Sequence, residues 1–145
     1  MEEDKVTEGF LESVLGGFDI SEADVELLSP LVLAYIGDSV YEVFVRTFLV
    51  SRGNAPVHRL HVLSTDFVKA RAQAVIMRRI MNDLTPRESD IVRRGRNARS
   101  GTIPKNAKLM EYKYATGFES LIGYLYLKKD FKRLRNILEK AVLEN

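Results

Sequence analysis

Residues 33–42 read Leu33-Ala34-Tyr35-Ile36-Gly37-Asp38-Ser39-Val40-Tyr41-Glu42, which sets a glycine and an aspartate side by side inside an apolar run. Helical signals surround them. Ser29-Pro30 supplies a serine N-cap with proline at the first helical position. The segment then continues to Val50 before Ser51-Arg52-Gly53-Asn54 stops it. An aspartate among so many apolar neighbours is costly unless it is paired, solvated or bound to a cation. Asp38, Glu42 and Arg46 stand at i, i+4 and i+8, so one wet stripe with an ion pair accounts for all three without any site. Gly37 is not accounted for that way. A mid-helix glycine costs about 1 kcal/mol relative to alanine, and it points to close approach of another backbone or a ligand.

Outward from this helix the chain keeps the same character. No stretch alternates as a strand does, whereas helical spacing recurs. A helix is expected from Pro56 to near Asn82, and Thr85-Pro86-Arg87-Glu88 reads as a capping box for a shorter one toward Arg94. Gly95 to Pro104 reads as a loop, Lys108 to Leu127 as the next helix, and Asp130 as the cap of the last. A weaker helix is expected around Phe10 to Leu15. The expectation is an all-α domain of about six or seven helices. Residues 29–145 form its body, and an acidic, partly helical segment 1–28 belongs to the same domain. The 145 residues suffice for one core. With no cysteine, disulfides, thiolate metal sites and thiol nucleophiles are excluded. The acidic start lacks a signal peptide's features, and Asp38, Glu42 and Arg46 argue against reading residues 30–50 as a membrane span.

A second helix repeats the pattern of the first: Tyr114-Ala115-Thr116-Gly117-Phe118-Glu119-Ser120-Leu121-Ile122-Gly123-Tyr124-Leu125. Gly117 and Gly123 suit close packing of a neighbouring helix. Glu119 alone reads equally well as a core helix's one acid, snorkelling outward or paired with an arginine. Two helices each offering one carboxylate can instead hold a hard cation such as Mg²⁺ jointly. The spacing does not say whether the two meet.

Charge is distributed unevenly. Residues 1–28 carry nine acidic side chains and one lysine, whereas residues 29–145 carry eleven acids against twenty-one Lys and Arg. A polyanionic partner suits the second part, and a solvated surface with an acidic tail explains it as well. Arg93, Arg94, Arg96, Arg99, Lys105 and Lys108, with Asn97 and Ser100 among them, occur without an acidic residue across 93–110. Cations, amides and hydroxyls of this kind suit the phosphates and 2′-hydroxyls of duplex RNA. His58 and His61 lack a third ligand by sequence and read as ordinary helix residues. Tyr112, Tyr114, Tyr124 and Tyr126 read as core and interface rather than as a base-stacking platform.

Tyr35-Ile36-Gly37-Asp38-Ser39-Val40 resembles the signature of the ribonuclease III family, and Phe118-Glu119-Ser120-Leu121-Ile122-Gly123 resembles its second acidic motif. The likeness covers about residues 29–145. It leaves no room for a double-stranded RNA-binding domain, which is the pattern of the short branch, Mini-ribonuclease III. The resemblance implies a ribonuclease III endonuclease-domain-like helical bundle. It implies Mg²⁺-dependent cleavage of double-stranded RNA to 5′-phosphate products, with Mn²⁺ as a substitute metal. Asp38 and Glu119 are then the catalytic metal ligands. The position four before Asp38 is Ala34 and the position three before Glu119 is Thr116, where the long enzymes carry Glu and Asp, so two of four carboxylates remain. The resemblance also implies a homodimer through residues 31–50, a cytoplasmic location and 23S ribosomal RNA precursor as substrate. A ribosomal protein or particle is a further expected partner. For a chain with no separate RNA-binding domain, the basic stretch 93–110 is the candidate grip. The other reading is a non-catalytic RNA-binding or structural homologue of the same fold.

Overall fold

Serine and proline start the longest helix where the sequence puts them. In the computed structural model, which describes residues 13–15, 18–98 and 108–143, Ser29 Oγ accepts from the Val32 amide at 3.3 Å with Pro30 in the first turn. Seven α-helices and no strand occur among the described residues, besides a helical stub at 13–15. They are α1 Glu22–Leu27, α2 Pro30–Ser51, α3 Val57–Val68, α4 Ala70–Ile80, α5 Pro86–Asn97, α6 Leu109–Leu127 and α7 Phe131–Leu143. A 3₁₀ turn, Met81–Asp83, joins α4 to α5. The rest of the helix expected at 10–15 lies outside the described residues.

The bundle is organised around α6. This helix is apolar on nearly every side, with Ala115 to Phe118 and Ser120 to Leu125 buried, so it must be covered all round. The other helices supply that cover: α2, α5, α4 and α7 pack on it. Tyr41 of α2 and Phe118 of α6 meet edge to face at 5.1 Å in the core. At its C-terminal end α6 closes with Lys129 in the left-handed region at φ 61°, its amide on the Tyr126 carbonyl and the Asp130 amide on the Leu125 carbonyl. That double bond satisfies the last carbonyls of the helix. Asp130 then caps α7, as expected, by accepting from the Arg133 amide at 3.4 Å.

Two boundaries differ from the sequence reading. The helix expected from Pro56 to Asn82 breaks at Lys69, which is extended at φ −62°, ψ 152°. No glycine or proline marks the break. What permits it is Gln73, whose Nε2 donates to the Val68 carbonyl at 2.8 Å and satisfies a backbone group that the broken helix leaves open. The expected loop from Gly95 begins later: Gly95 to Asn97 finish α5. A buried Gly95 against α6 lets that last turn pack where a larger residue would not fit. The capping box is present as read, with Thr85 and Glu88 exchanging side-chain to backbone bonds. One helix, α1, was not anticipated although Ser21 and Asp24 carry a capping signal; Ser21 Oγ accepts from the Asp24 amide at 3.1 Å. Val25 of α1 is buried. Glu26 pairs with Arg87 and Lys128, and the Tyr124 hydroxyl together with these cations holds its carboxyl down to about 2.

The capping-box glutamate does a second job. Buried Glu88 forms a two-pronged pair with Arg133, Nε to Oε2 at 2.9 Å and Nη2 to Oε1 at 2.8 Å. Burial raises the Glu88 pKa, but the bonds from Arg133 and Thr85 outweigh it and the net shift is downward. Arg133→Ala strands this carboxylate and is expected to cost about 3 kcal/mol in urea unfolding at neutral pH. A depressed folded pKa gives stability present above the unfolded carboxylate value and lost as pH falls below it. The deficit of the variant should therefore shrink on acidification below about pH 4.5.

Candidate functional site

The crossing of α2 and α6 is a contact of backbone on backbone. A Cβ added at Gly37 would stand 1.8 Å from the Glu119 carbonyl oxygen and 2.8 Å from the Gly123 amide nitrogen. A Cβ at Gly123 would stand 1.9 Å from the Leu33 carbonyl oxygen. Only glycine at both positions lets the two helices approach this far. Gly117 opens a third contact, with Val92 of α5, where an added Cβ would meet the Val92 carbonyl at 2.9 Å. The close approaches expected at Gly37, Gly117 and Gly123 are thus all present.

This crossing sets Asp38 beside Glu119. Asp38 is exposed and Glu119 is mostly enclosed. Burial first, then the charge of Asp38, pushes the Glu119 carboxyl up to about 7, and a hydrogen bond with Gln73 only partly opposes this. Partial burial and the neighbouring Glu42 raise Asp38 as well. Neither acid is paired with a Lys or Arg among the described residues. Glu42 turns to Arg46, Nη2 to Oε1 at 3.2 Å, which is the ion pair expected for that stripe. Thr116 is buried with its hydroxyl donating to the Tyr112 carbonyl at 3.0 Å, and Ala34 is buried in α2. No third Asp, Glu, His or Cys completes a cluster of three with the two acids among the described residues.

Gln73 is the residue that the sequence did not single out. It is 1% exposed, and its Oε1 is the one buried side-chain polar atom without a partner among the described residues. Its amide nitrogen holds the Val68 carbonyl on one side, and the side chain bonds Glu119 on the other. An unpartnered buried carbonyl oxygen costs about 1–3 kcal/mol if nothing reaches it. Nothing local predicts this role, because it arises from the helix break at Lys69.

The basic residues are split by the structure. Arg93 lies on α5 paired to Asp90, Arg94 is half-buried on the same helix, and Arg96 stacks on the Tyr114 ring at 5.8 Å. Asn97 ends α5, and Lys108 immediately precedes α6. Arg99, Ser100 and Lys105 lie outside the described residues. Arg93 and Arg94 are thus helical as expected, whereas Arg96 and Asn97 are helical where a loop was expected.

Because the raised Glu119 pKa is a property of the fold, it has a stability consequence. The folded protein binds this proton more tightly than the unfolded chain, so the penalty is absent below about pH 4.5, grows with pH and is complete above about 7. Glu119→Gln in chelator is expected to raise stability by up to about 3 kcal/mol at pH 8 and to leave it nearly unchanged at pH 4.5. Thermal unfolding at the two pH values checks this.

Comparison with known proteins bears on what the site does. The family model for the Ribonuclease III domain matches residues 31–130. A Mini-ribonuclease 3 of Thermoanaerobacter sp. (strain X514) is 51% identical over 134 residues, covering 92% of this chain and 92% of that protein. A Mini-ribonuclease 3 of Enterococcus faecalis is 44% identical over 82% of this chain and 92% of its own. Among solved structures, a Fusobacterium nucleatum protein superposes with a TM-score of 0.73 at 31% identity, covering 80% of this chain and 93% of that one.

Proposed function

This chain belongs to the ribonuclease III family, and from that premise we propose that Asp38 and Glu119 jointly hold a divalent cation with which the protein cuts double-stranded RNA. Its activity is that of an endoribonuclease. The observation that carries the site assignment is the glycine-mediated crossing, which brings one carboxylate from each family motif together with no Lys or Arg paired to either among the described residues. Two oxygen donors without a neutralising Lys or Arg among the described residues fit a hard ion such as Mg²⁺, with Mn²⁺ able to take its place. Such an ion, when bound, lowers the pKa of a water and offsets charge on the phosphate and the departing 3′ oxygen.

The residues divide the remaining work. Asp38, on the exposed side, faces the substrate. Glu119 anchors the site from within, its carboxylate held by Gln73. Gly37 and Gly123 fix the separation of the helices that carry them. Arg93, Arg94, Arg96, Asn97, Arg99, Ser100, Lys105 and Lys108 are the proposed RNA grip. We further infer a homodimer through the 31–50 helix. In support, Val32, Tyr35 and Val43 are 47%, 81% and 66% exposed along α2, which leaves apolar surface on a helix whose other side is in the core. The acidic segment 1–28 is taken as part of the same domain, a reading that Val25 and Glu26 support. From the resemblance we propose 5′-phosphate products, 23S ribosomal RNA precursor as substrate, a ribosomal protein or particle as partner, and a cytoplasmic location. No helix among the described residues is long and apolar enough to cross a membrane.

Incubation with a long duplex RNA tests the activity. Cutting in Mg²⁺ and none in chelator is the expected result. Duplex binding that is indifferent to chelator, with no cutting on duplex or structured ribosomal RNA, would instead favour the non-catalytic homologue.

A further inference from the structure

Tyrosines at two points of α6 each carry two cations, and only one of the two groups has its anion among the described residues. Arg87 and Lys128 lie over the Tyr124 ring at 5.6 and 5.9 Å, and both pair with Glu26, which also accepts from the Tyr124 hydroxyl. That group is closed on itself. Arg78 of α4 and Arg96 of α5 lie over the Tyr114 ring at 5.3 and 5.8 Å. Neither arginine has a carboxylate partner among the described residues. Two guanidinium groups from separate helices are thus held at one half-buried ring with no carboxylate among the described residues to offset their charge. The ring anchors both groups on one part of the surface, and the guanidinium fork suits two-pronged bonding to phosphate oxygens.

Position along the bundle relates the pair to the two acids. Gln73 of α4 bonds Glu119 of α6, and Arg78 of α4 covers Tyr114 of α6. Rising numbers on one helix meet falling numbers on the other, so the two run antiparallel. The two arginines therefore lie five residues along both helices from Glu119, about 7.5 Å of axial rise and part of a turn round α6.

We propose that Arg78 and Arg96, oriented by Tyr114, bind a backbone phosphate of the duplex RNA away from the one at Asp38 and Glu119. The proposal rests on the reading of this chain as a duplex-RNA nuclease. It adds α4 to the surface that touches RNA, and it makes Tyr114 a platform for arginines rather than for bases. The grip also sits on rigid helices, so it sets the register of the strand relative to the two acids.

The test is duplex RNA binding, measured against salt concentration in chelator, together with cleavage kinetics in Mg²⁺. Arg78→Ala and Arg96→Ala are each expected to weaken binding about tenfold and to reduce the slope of log K against log salt by about 0.7–0.9. KM is expected to rise with binding while kcat falls less. Tyr114→Leu, which removes the ring, should reproduce the arginine variants. Thermal unfolding verifies folding, and Arg78→Gln, which keeps much of the side chain, reads the same slope should the alanine variant unfold. Unchanged slope and KM in the arginine variants, with wild-type cutting intact, would overturn the proposal and leave a purely structural stack. Displacement of RNA by millimolar inorganic phosphate, with the slope unchanged in the variants, would assign the stack to a free anion and overturn it too. A wild-type protein that neither binds nor cuts duplex RNA would remove the reading beneath it.

Discussion

Gly37→Ala is expected to destabilise the protein by 3 kcal/mol or more, roughly the upper end of what overpacking usually costs, and to abolish cleavage even where the variant folds. The sign is the informative part. In the middle of an exposed helix the same change would stabilise by about 1 kcal/mol. Here the added methyl group falls 1.8 Å from a carbonyl oxygen of α6, and that neighbour is backbone rather than the movable end of a side chain. The helices must therefore separate, and the separation moves Asp38 away from Glu119. Gly123→Ala should do the same from the other side, with 1.9 Å to the Leu33 carbonyl oxygen. Gly95→Ala offers the contrast, because its nearest neighbour is the Ser120 hydroxyl, at the end of a side chain, 2.6 Å away. Urea unfolding of the three variants ranks them, and the expectation is a larger loss at Gly37 and Gly123 than at Gly95.

Asp38→Asn and Glu119→Gln should each lower kcat on duplex RNA about a thousandfold or more, at unchanged or increased stability. With only two carboxylates in the site, each variant removes half of the anionic donors. A loss of several kcal/mol of transition-state stabilisation corresponds to a rate effect of that size. The combination is diagnostic: a purely structural acid would lose stability and activity together, whereas Glu119→Gln is expected to gain stability above pH 7. Gln73→Met keeps most of the volume but removes the bond to Glu119, and a smaller loss of about 10–100-fold is expected from it, as for other groups that orient a metal ligand. Single-turnover rates on one duplex give all three values.

The sequence carried much of this arrangement and lacked the rest for identifiable reasons. Helix starts were legible because capping is local: Ser29-Pro30 and Thr85 to Glu88 satisfy their own amides within a few residues. Gly37 announced a close approach because glycine inside a helix has a cost that needs a reason. The partner in that approach was not legible, since meeting Glu119 and Gly123 depends on how α2 crosses α6. The break at Lys69 left no local signal, because it is sustained by the side chain of Gln73 four residues later. For the same reason Gln73 went unmarked as a neighbour of Glu119. Glycines and polar residues mark a loop from Gly95 in the sequence, yet Gly95 is a packing glycine on α5, which places Arg96 on a helix over Tyr114.

The central claim is that Asp38 and Glu119 bind a cation together. Calorimetric titration of Mn²⁺ into the metal-free protein, beside Asp38→Asn and Glu119→Gln, tests it without reference to catalysis. Binding by the wild type that is lost in each variant is the predicted result. Binding that survives both substitutions would contradict the account and place the metal elsewhere.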